Sequence, residues 1–234
     1  MKYAVILAGG RGTRLRPYTL TLPKPLVPLV DTPIVEIVIQ KLANAKYDAV
    51  TLAINHMGEL IQAYFGSGER WGLTMKYSLE DEPLGTIAPL RLIDDLPENF
   101  LVVNADVLSD LDLSNFLDDH IQSGAIFTIG STNRDQVLDY GVLDVDGDHH
   151  LVGFREKPRI SQRVSMGIYA VNRRVLDYIP SQGPFGFDQL MLKLISTNER
   201  VDVVEHTGYW LDIGRPEDYE QANIEFEKDR SRFL

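Results

Sequence analysis

Tyr3-Ala4-Val5-Ile6-Leu7-Ala8-Gly9-Gly10-Arg11-Gly12-Thr13-Arg14-Leu15 begins as an apolar run and becomes, within a few residues, a basic glycine-rich loop. The run from Tyr3 reads as a buried strand. A glycine-rich turn leaving such a strand lets backbone N–H groups converge on an anion, because glycine has no Cβ to block the approach. Arg11 and Arg14 would add charge-assisted donors to phosphate oxygens. Around this loop, Lys2, Arg11, Arg14, Arg16 and Lys24 are the five ionised side chains of the first thirty residues, and none is acidic. The whole chain carries a net charge of −11, so the segment's +5 leaves −16 for the remainder. Phosphate binding is the first expectation.

Neither common phosphate loop is present. No Lys follows Gly12, as a P-loop would require. Gly10 and Gly12 satisfy the start of the dinucleotide fingerprint, but Leu15 stands where its third glycine belongs. A plain strand–turn–helix connection with surface arginines would share the glycines; the absence of acids around them is what favours the anion site.

The chain has 234 residues, 44% of them hydrophobic and 24% charged, ordinary values for one globular domain with a sizeable core. One domain over 1–234 is expected. An excess of 34 acidic over 23 basic residues disfavours a nucleic-acid partner, which would need a broad basic face. With no cysteine there is no disulfide, thiolate metal site or cysteine nucleophile. No apolar run approaches a membrane span, and Met1-Lys2 leads directly into a strand, so no membrane association and a cytoplasmic location are expected.

Strand-like and helical segments alternate through the first half. After the Tyr3 strand, a helix should start with Thr32 as cap and Pro33 in its first turn, burying Ile34, Val38, Leu42 and Ala45. Ala49 to Ile54 reads as a strand and Glu59 to Phe65 as a helix stopped by Gly66. Leu73, Met75 and Tyr77 alternate as a strand, Thr86 to Leu92 reads as helical, and Phe100 to Val103 and Ala125 to Ile129 as strands. In the second half, Gly141 to Val145 and Leu151 to Phe154 suggest an antiparallel hairpin around Gly147. Strands at Val164 to Val171 and Val201 to Glu205, and helices at Arg173 to Ile179, Phe187 to Thr197 and Pro216 to Arg230, complete the pattern. The expected class is α/β: a Rossmann-like, mostly parallel sheet with helices on both faces, plus the antiparallel hairpin.

Further candidate residues fall just past strand ends, where open α/β sheets hold ligands. Pro23 and Pro25 stiffen the backbone on either side of Lys24 and present its ammonium from a restrained loop. In Glu80-Asp81-Glu82-Pro83-Leu84-Gly85-Thr86, Gly85 permits close approach by a flat ring and Glu82 can accept two hydrogen bonds; capping by Thr86 beside acids would explain the same run. Asp106, after the Phe100 strand, stands where Mg²⁺ ligands or turn-initiating acids are found. Glu156-Lys157-Pro158 closes the hairpin and could equally be a solvated ion pair. Asp212 lies among apolar residues in Gly208-Tyr209-Trp210-Leu211-Asp212-Ile213-Gly214, so it needs a cation or several donors as partner. Trp210 reads as core.

Taken in order, these motifs, with Asn104-Ala105-Asp106-Val107, Tyr140-Gly141-Val142 and Gly167-Ile168-Tyr169, resemble the sugar-phosphate nucleotidylyltransferases, and within them the mannose-1-phosphate guanylyltransferases. The resemblance runs from Ala4 to about Ala222. It implies transfer of a nucleoside monophosphate, GMP from GTP being favoured, to a sugar 1-phosphate of a mannose-like hexose or heptose, with release of pyrophosphate. By matching motif, Leu7, Ala8, Gly9, Gly10, Gly12, Thr13 and Arg14 would hold the triphosphate, and Glu82, Gly85 and Thr86 the base. Lys24 would act on the reacting phosphates, and Asp106 and Asp212 would bind Mg²⁺. Tyr140, Gly141, Glu156, Lys157, Ser165 and Gly167 would form the sugar-phosphate side. Arg14, Lys24, Asp106 and Asp212 are thus the expected catalytic set.

Two departures qualify it. Ser165-Met166-Gly167 replaces the family's usual Asn-Ala-Gly, which exchanges an amide toward the sugar for a hydroxyl. The sequence also stops at Leu234 without the β-helix of longer relatives, so regulation through such a domain is not expected, while a homo-oligomer is left open. The alternatives are a uridylyl-, thymidylyl- or cytidylyltransferase of the same family, a catalytically silent subunit that binds a nucleotide sugar, and an NAD-binding dehydrogenase. The intact Arg14, Lys24, Asp106, Lys157 and Asp212 argue against the silent subunit, and Leu15 argues against the dehydrogenase.

Overall fold

Every second residue of β1 (Tyr3–Leu7) faces the same side: Tyr3 and Val5 enter one core, Ala4 and Ile6 another, and all four are buried. The computed structural model describes residues 1–80 and 82–234. After β1 come the paired two-residue strands β2 (Pro28–Leu29) and β3 (Thr32–Pro33), then α1 (Ile34–Asn44), β4 (Ala49–Ile54), α2 (Gly58–Phe65) and β5 (Thr74–Leu79). Next are β6 (Asn99–Asn104), β7 (Val107–Ser109), α3 (Leu113–Ser123), β8 (Phe127–Val137), β9 (Val142–Val145), β10 (Leu151–Arg155) and β11 (Arg159–Asn172). The chain continues with α4 (Phe187–Ser196), β12 (Val201–Glu205), β13 (Trp210–Asp212) and α5 (Pro216–Lys228).

Seven strands form the main sheet in the order β12-β8-β11-β6-β1-β4-β5. Pairings of β1 with β4 and β6, β4 with β5, and β12 with β8 are parallel, whereas β11 is antiparallel to both β6 and β8. Only β11 therefore runs against the sheet, as expected for a mostly parallel α/β protein. Helices α1, α2 and α3 cover one face through residues such as Val38, Leu42, Ile61, Phe65 and Phe116. The other face is covered by α4, through Leu190 and Leu194, and by a short 3₁₀ segment, Ala88–Leu92. A third core joins α5, through Ala222 and Phe226, to Leu15, Leu29, Leu108, Leu211 and Ile213. That core fixes the basic loop to the β7–β13 ladder.

Several element expectations need correction. Thr32 is a bridge residue paired with Leu29; Pro33 takes the cap position and the helix begins at Ile34. The segment expected as a helix from Thr86 is only the 3₁₀ stretch Ala88–Leu92, and Arg173–Tyr178 is likewise 3₁₀. Helix α3 was not expected at all. Its signals were present: Asp112 Oδ1 accepts from the N–H groups of Ser114 and Asn115 at 2.9 and 3.0 Å, and Gly124 ends it in a left-handed conformation. Strands β8 and β11 extend past the sheet on the Val137–Arg159 side as an exposed two-stranded arm. The hairpin β9–β10 sits beyond the arm, whose last rung is Leu138 N–H to Pro158 O at 3.1 Å.

Candidate active site

The ends of β1, β5 and β6 open into a cleft of about 380 Å³. Leu7, Gly9, Gly10 and Arg11 form one wall, Pro83, Gly85, Thr86 and Pro89 another, and Asn55, Glu80, Asn104 and Asp106 complete the lining. A smaller recess of about 50 Å³ beside it brings in Ala8, Lys24, Pro25 and Ala105. Most of the expected nucleotide residues thus converge.

Gly85 lies at φ +90°, and a Cβ there would stand 2.9 Å from the carbonyl oxygen of Phe185, so the position requires glycine. The loop is stitched to Phe185 by its N–H to Leu84 O at 2.8 Å and by Ile87 and Ala88 N–H groups to its own carbonyl, both 3.2 Å. Thr86 does cap a helix, but a distant one: its Oγ1 accepts from Phe187 N–H at 2.8 Å, the first turn of α4.

Glu82 is exposed and does not line the cleft; Glu80 does. The β5 ladder runs one residue past the strand, with Glu80 N–H donating to Ile54 O at 3.0 Å, and this turns the Glu80 side chain inward. Its Oε2 accepts from Leu84 N–H at 3.0 Å, which leaves Oε1 beside Gly9. Burial pushes the Glu80 carboxyl above the usual range, and the Leu84 hydrogen bond offsets part of that rise. Sequence reading missed Glu80; its place at the end of an alternating strand was the available signal.

Asp106 and Asp212, 106 residues apart in number, are neighbours in space. Antiparallel pairing of Asp212 with Val107 begins the β7–β13 ladder, and Ile213 N–H donates to Asp106 O at 2.9 Å. The Lys24 ammonium is ion-paired with Asp106 Oδ2, with both side chains largely shielded from water. Burial raises the Asp212 carboxyl, the Asp106 charge raises it further, and Lys24 and Arg14 pull it back. Two carboxylates held close at adjoining strand ends fit a hard divalent cation, which would relieve their repulsion. Among the described residues no group of three or more His, Cys, Asp or Glu side chains gathers to hold a metal, so such an ion would rely on the substrates' phosphates for further oxygens.

Arg11 and Arg14 do not converge on one point. Arg11 lines the cleft with Asp106, whereas Arg14 lines a separate pocket of about 450 Å³ with Asp212, Arg134 and Arg215. Thr13 opens the 3₁₀ turn that carries Arg14, and Gly12 packs over Lys24, where a Cβ would lie 2.8 Å from the lysine Cβ.

The expected sugar-side residues are spread along the arm and its root. A Cβ on Gly141 would be 3.3 Å from Glu156 Oε2, while Tyr140 is 80% exposed and Lys157 is exposed. At the root, Gly167 packs against Asn104 of the cleft lining, its Cβ position being 2.5 Å from that side-chain nitrogen. Ser165 Oγ donates to the Tyr169 hydroxyl at 3.1 Å and accepts from Gly167 N–H at 3.3 Å, so the hydroxyl at this departure is engaged within the strand bulge. Trp210 is half-buried and donates to Met166 O at 2.8 Å, in keeping with a packing role.

A family model described as nucleotidyl transferase matches residues 3–229. The chain belongs to the nucleotidyl transferase family. It is 36% identical to a mannose-1-phosphate guanyltransferase of Debaryomyces hansenii, over 94% of this chain and 63% of that one. It is 34% identical to a UTP–glucose-1-phosphate uridylyltransferase of Synechocystis, over 94% of this chain and 62% of that protein. The chain therefore spans somewhat less than two thirds of these relatives. Among solved structures, HddC from Yersinia pseudotuberculosis superimposes with a TM-score of 0.74 at 26% identity, covering 97% of this chain and all of that one. The same protein complexed with GMP-PN gives 0.72 at 25% identity, covering 97% of this chain and all of that one. Among the described residues, no helix is long and apolar enough to cross a membrane.

Proposed function

We propose that this member of the family transfers GMP from GTP to a mannose-like hexose or heptose 1-phosphate, giving a GDP-sugar and pyrophosphate. The observation that carries this reading is the Asp106–Asp212 pair, joined through the β7–β13 ladder, with a ring-sized cleft on one side and an arginine-lined pocket on the other.

The base would lie between the Gly9-Gly10 loop and Gly85. There Glu80 can accept from the N1–H and 2-amino groups of guanine, a donor pair that uracil, thymine and cytosine do not offer. This assigns base recognition to Glu80 in place of Glu82. Asp106 and Asp212 would hold Mg²⁺, which when bound supplies positive charge to the phosphates in transfer. Lys24, fixed against Asp106, would place its ammonium where charge shifts between reacting groups. Both substrates are anions, so the chain's work is to hold them in line and cancel repulsion. The attacking phosphate oxygen is already ionised, and no side chain needs to act as base. Gly141, Glu156 and Lys157 would meet the sugar and its phosphate from the hairpin side.

The test is a screen of GTP, UTP, dTTP and CTP against a panel of sugar 1-phosphates, with pyrophosphate release as readout. GTP should be preferred, with a mannose-like 1-phosphate as acceptor. Preference for a pyrimidine nucleotide would overturn the Glu80 assignment, and no release from any pair would overturn the transfer reaction.

A further inference from the structure

Arg14 and Arg215 face one pocket of about 450 Å³ whose lining also includes Asp212, Arg134, Asp135 and Asp218. The pocket and the ring-sized cleft contain different members of the paired carboxylates: Asp212 belongs to the pocket and Asp106 to the cleft. Their arginines have different commitments. Arg134 is tied to Asp218 at 3.8 Å, whereas neither Arg14 nor Arg215 forms an ion pair among the described residues. Arg215 is exposed and occupies the cap position of α5, where its carbonyl accepts from Tyr219 N–H at 3.0 Å. Its guanidinium therefore has no evident part in holding the fold.

The charges facing this pocket explain what it can take. Asp218 is balanced by Arg134, and Asp212 would be engaged by the divalent cation. Asp135 is then the one acid left against two uncommitted guanidiniums, which are forked donors suited to phosphate oxygens.

Granting the transfer reaction proposed above, we propose that Arg215 acts with Arg14 to bind the diphosphate leaving group, making the pocket beyond Asp212 its subsite. In the reaction an oxygen of the sugar phosphate forms a bond to the α-phosphorus. The bond from that phosphorus to the bridging oxygen breaks, and the electron pair departs on the diphosphate. No proton has to move. The diphosphate gains negative charge as it separates, which is where two unpaired guanidiniums are most effective.

The same guanidiniums would also suit the phosphate of the sugar substrate, and kinetics distinguish the two. Arg215→Ala and Arg215→Lys would be measured in both directions, with GTP and sugar 1-phosphate forward, and with the enzyme's own GDP-sugar and inorganic pyrophosphate in reverse, all with magnesium. Arg215→Ala should raise KM for pyrophosphate and for GTP roughly tenfold or more, with KM for sugar 1-phosphate unchanged and Arg215→Lys intermediate. A rise confined to the sugar 1-phosphate would assign the pocket to that substrate and overturn the proposal, as would no change in any KM. Should the wild-type chain transfer no nucleotide, calorimetric titration with magnesium pyrophosphate still decides the point: binding weakened by Arg215→Ala supports the subsite, and equal binding overturns it.

Discussion

Oε1 of Glu80 lies 2.9 Å from the point where a Cβ on Gly9 would stand, so the carboxylate and the glycine loop meet within the cleft. On the proposed reading, Glu80→Gln removes the acceptor pair that guanine would use. Loss of a hydrogen bond to a charged group costs about 1.5–3 kcal/mol, so kcat/KM for GTP should fall roughly ten- to hundredfold. Glu82→Gln, altering an exposed side chain outside the cleft, should change it less than about twofold. Burial raises the Glu80 carboxyl, so it takes up its proton at a higher pH than an exposed glutamate as the solution is acidified. GTP use should therefore fall first on the acid side, and this limb should weaken in Glu80→Gln. A larger loss in Glu82→Gln than in Glu80→Gln would reverse the assignment.

The two aspartates should separate stability from activity. Either Asp106→Asn or Asp212→Asn should reduce turnover by roughly 10²–10³-fold through loss of charge stabilisation. Their effects on the metal-free fold should be opposite. Asp212→Asn removes a half-buried carboxylate next to a like charge, so Tm should rise; Asp106→Asn leaves the shielded Lys24 ammonium without its partner, so Tm should fall. Magnesium should raise Tm of the wild type and not of either variant. Full turnover in either variant, or turnover unaffected by excess chelator, would remove the metal assignment.

The sequence made the sheet legible because β1, β4 and β6 are short, apolar runs ending in glycine or polar turns, and their burial leaves little choice of environment. The convergence of Asp106 and Asp212 was not derivable from spacing: it depends on β7 and β13, three residues each, which carry no pattern a strand could be read from. Glu80 and Glu82 are indistinguishable as residue types, and one extra rung of the β5 ladder is what puts Glu80 rather than Glu82 on the cleft lining. Helix α3 is polar on average, yet Leu113, Phe116, Leu117 and His120 recur at helical spacing on one buried face between the Asp112 cap and Gly124, so its signal was in the sequence and was passed over. Divergence of Arg11 from Arg14 reflects the left-handed Gly12 and the 3₁₀ turn that carries Arg14, which a reading of charge alone passes over.

Lys24 and Lys157 should fail in different ways. Lys24 is shielded and fixed on Asp106, whereas Lys157 is exposed beside the last rung of the arm. Lys24→Ala should depress kcat, since its charge is most useful as negative charge moves between phosphates. Lys157→Ala should raise KM for sugar 1-phosphate roughly tenfold and leave nucleotide affinity almost intact. Calorimetric titration with nucleotide, paired with kinetics in both substrates, separates the two. Equal loss of nucleotide affinity would place both lysines on one phosphate group and remove Lys157 from the sugar side.

His120 gives the fold an acid-sensitive component remote from the cleft. The residue is 1% exposed, its Nδ1 is 2.7 Å from Thr128 Oγ1, and its buried Nε2 has no hydrogen-bond partner among the described residues. Burial pushes its pKa down from 6.5 to about 4, with Asp202 opposing the shift. The unfolded chain therefore takes up this proton before the native one does. Its contribution to stability is fully present above pH 6.5 and is lost as pH falls toward 4. Between pH 7.5 and 5.0 the loss should be about 2 kcal/mol. Urea unfolding of wild type and His120→Gln at both pH values isolates it, because every other titrating group is common to the two proteins. The wild type should lose about 2 kcal/mol more than the variant over this interval. An equal loss in both would mean that His120 gains its proton in the folded protein as readily as in the unfolded chain.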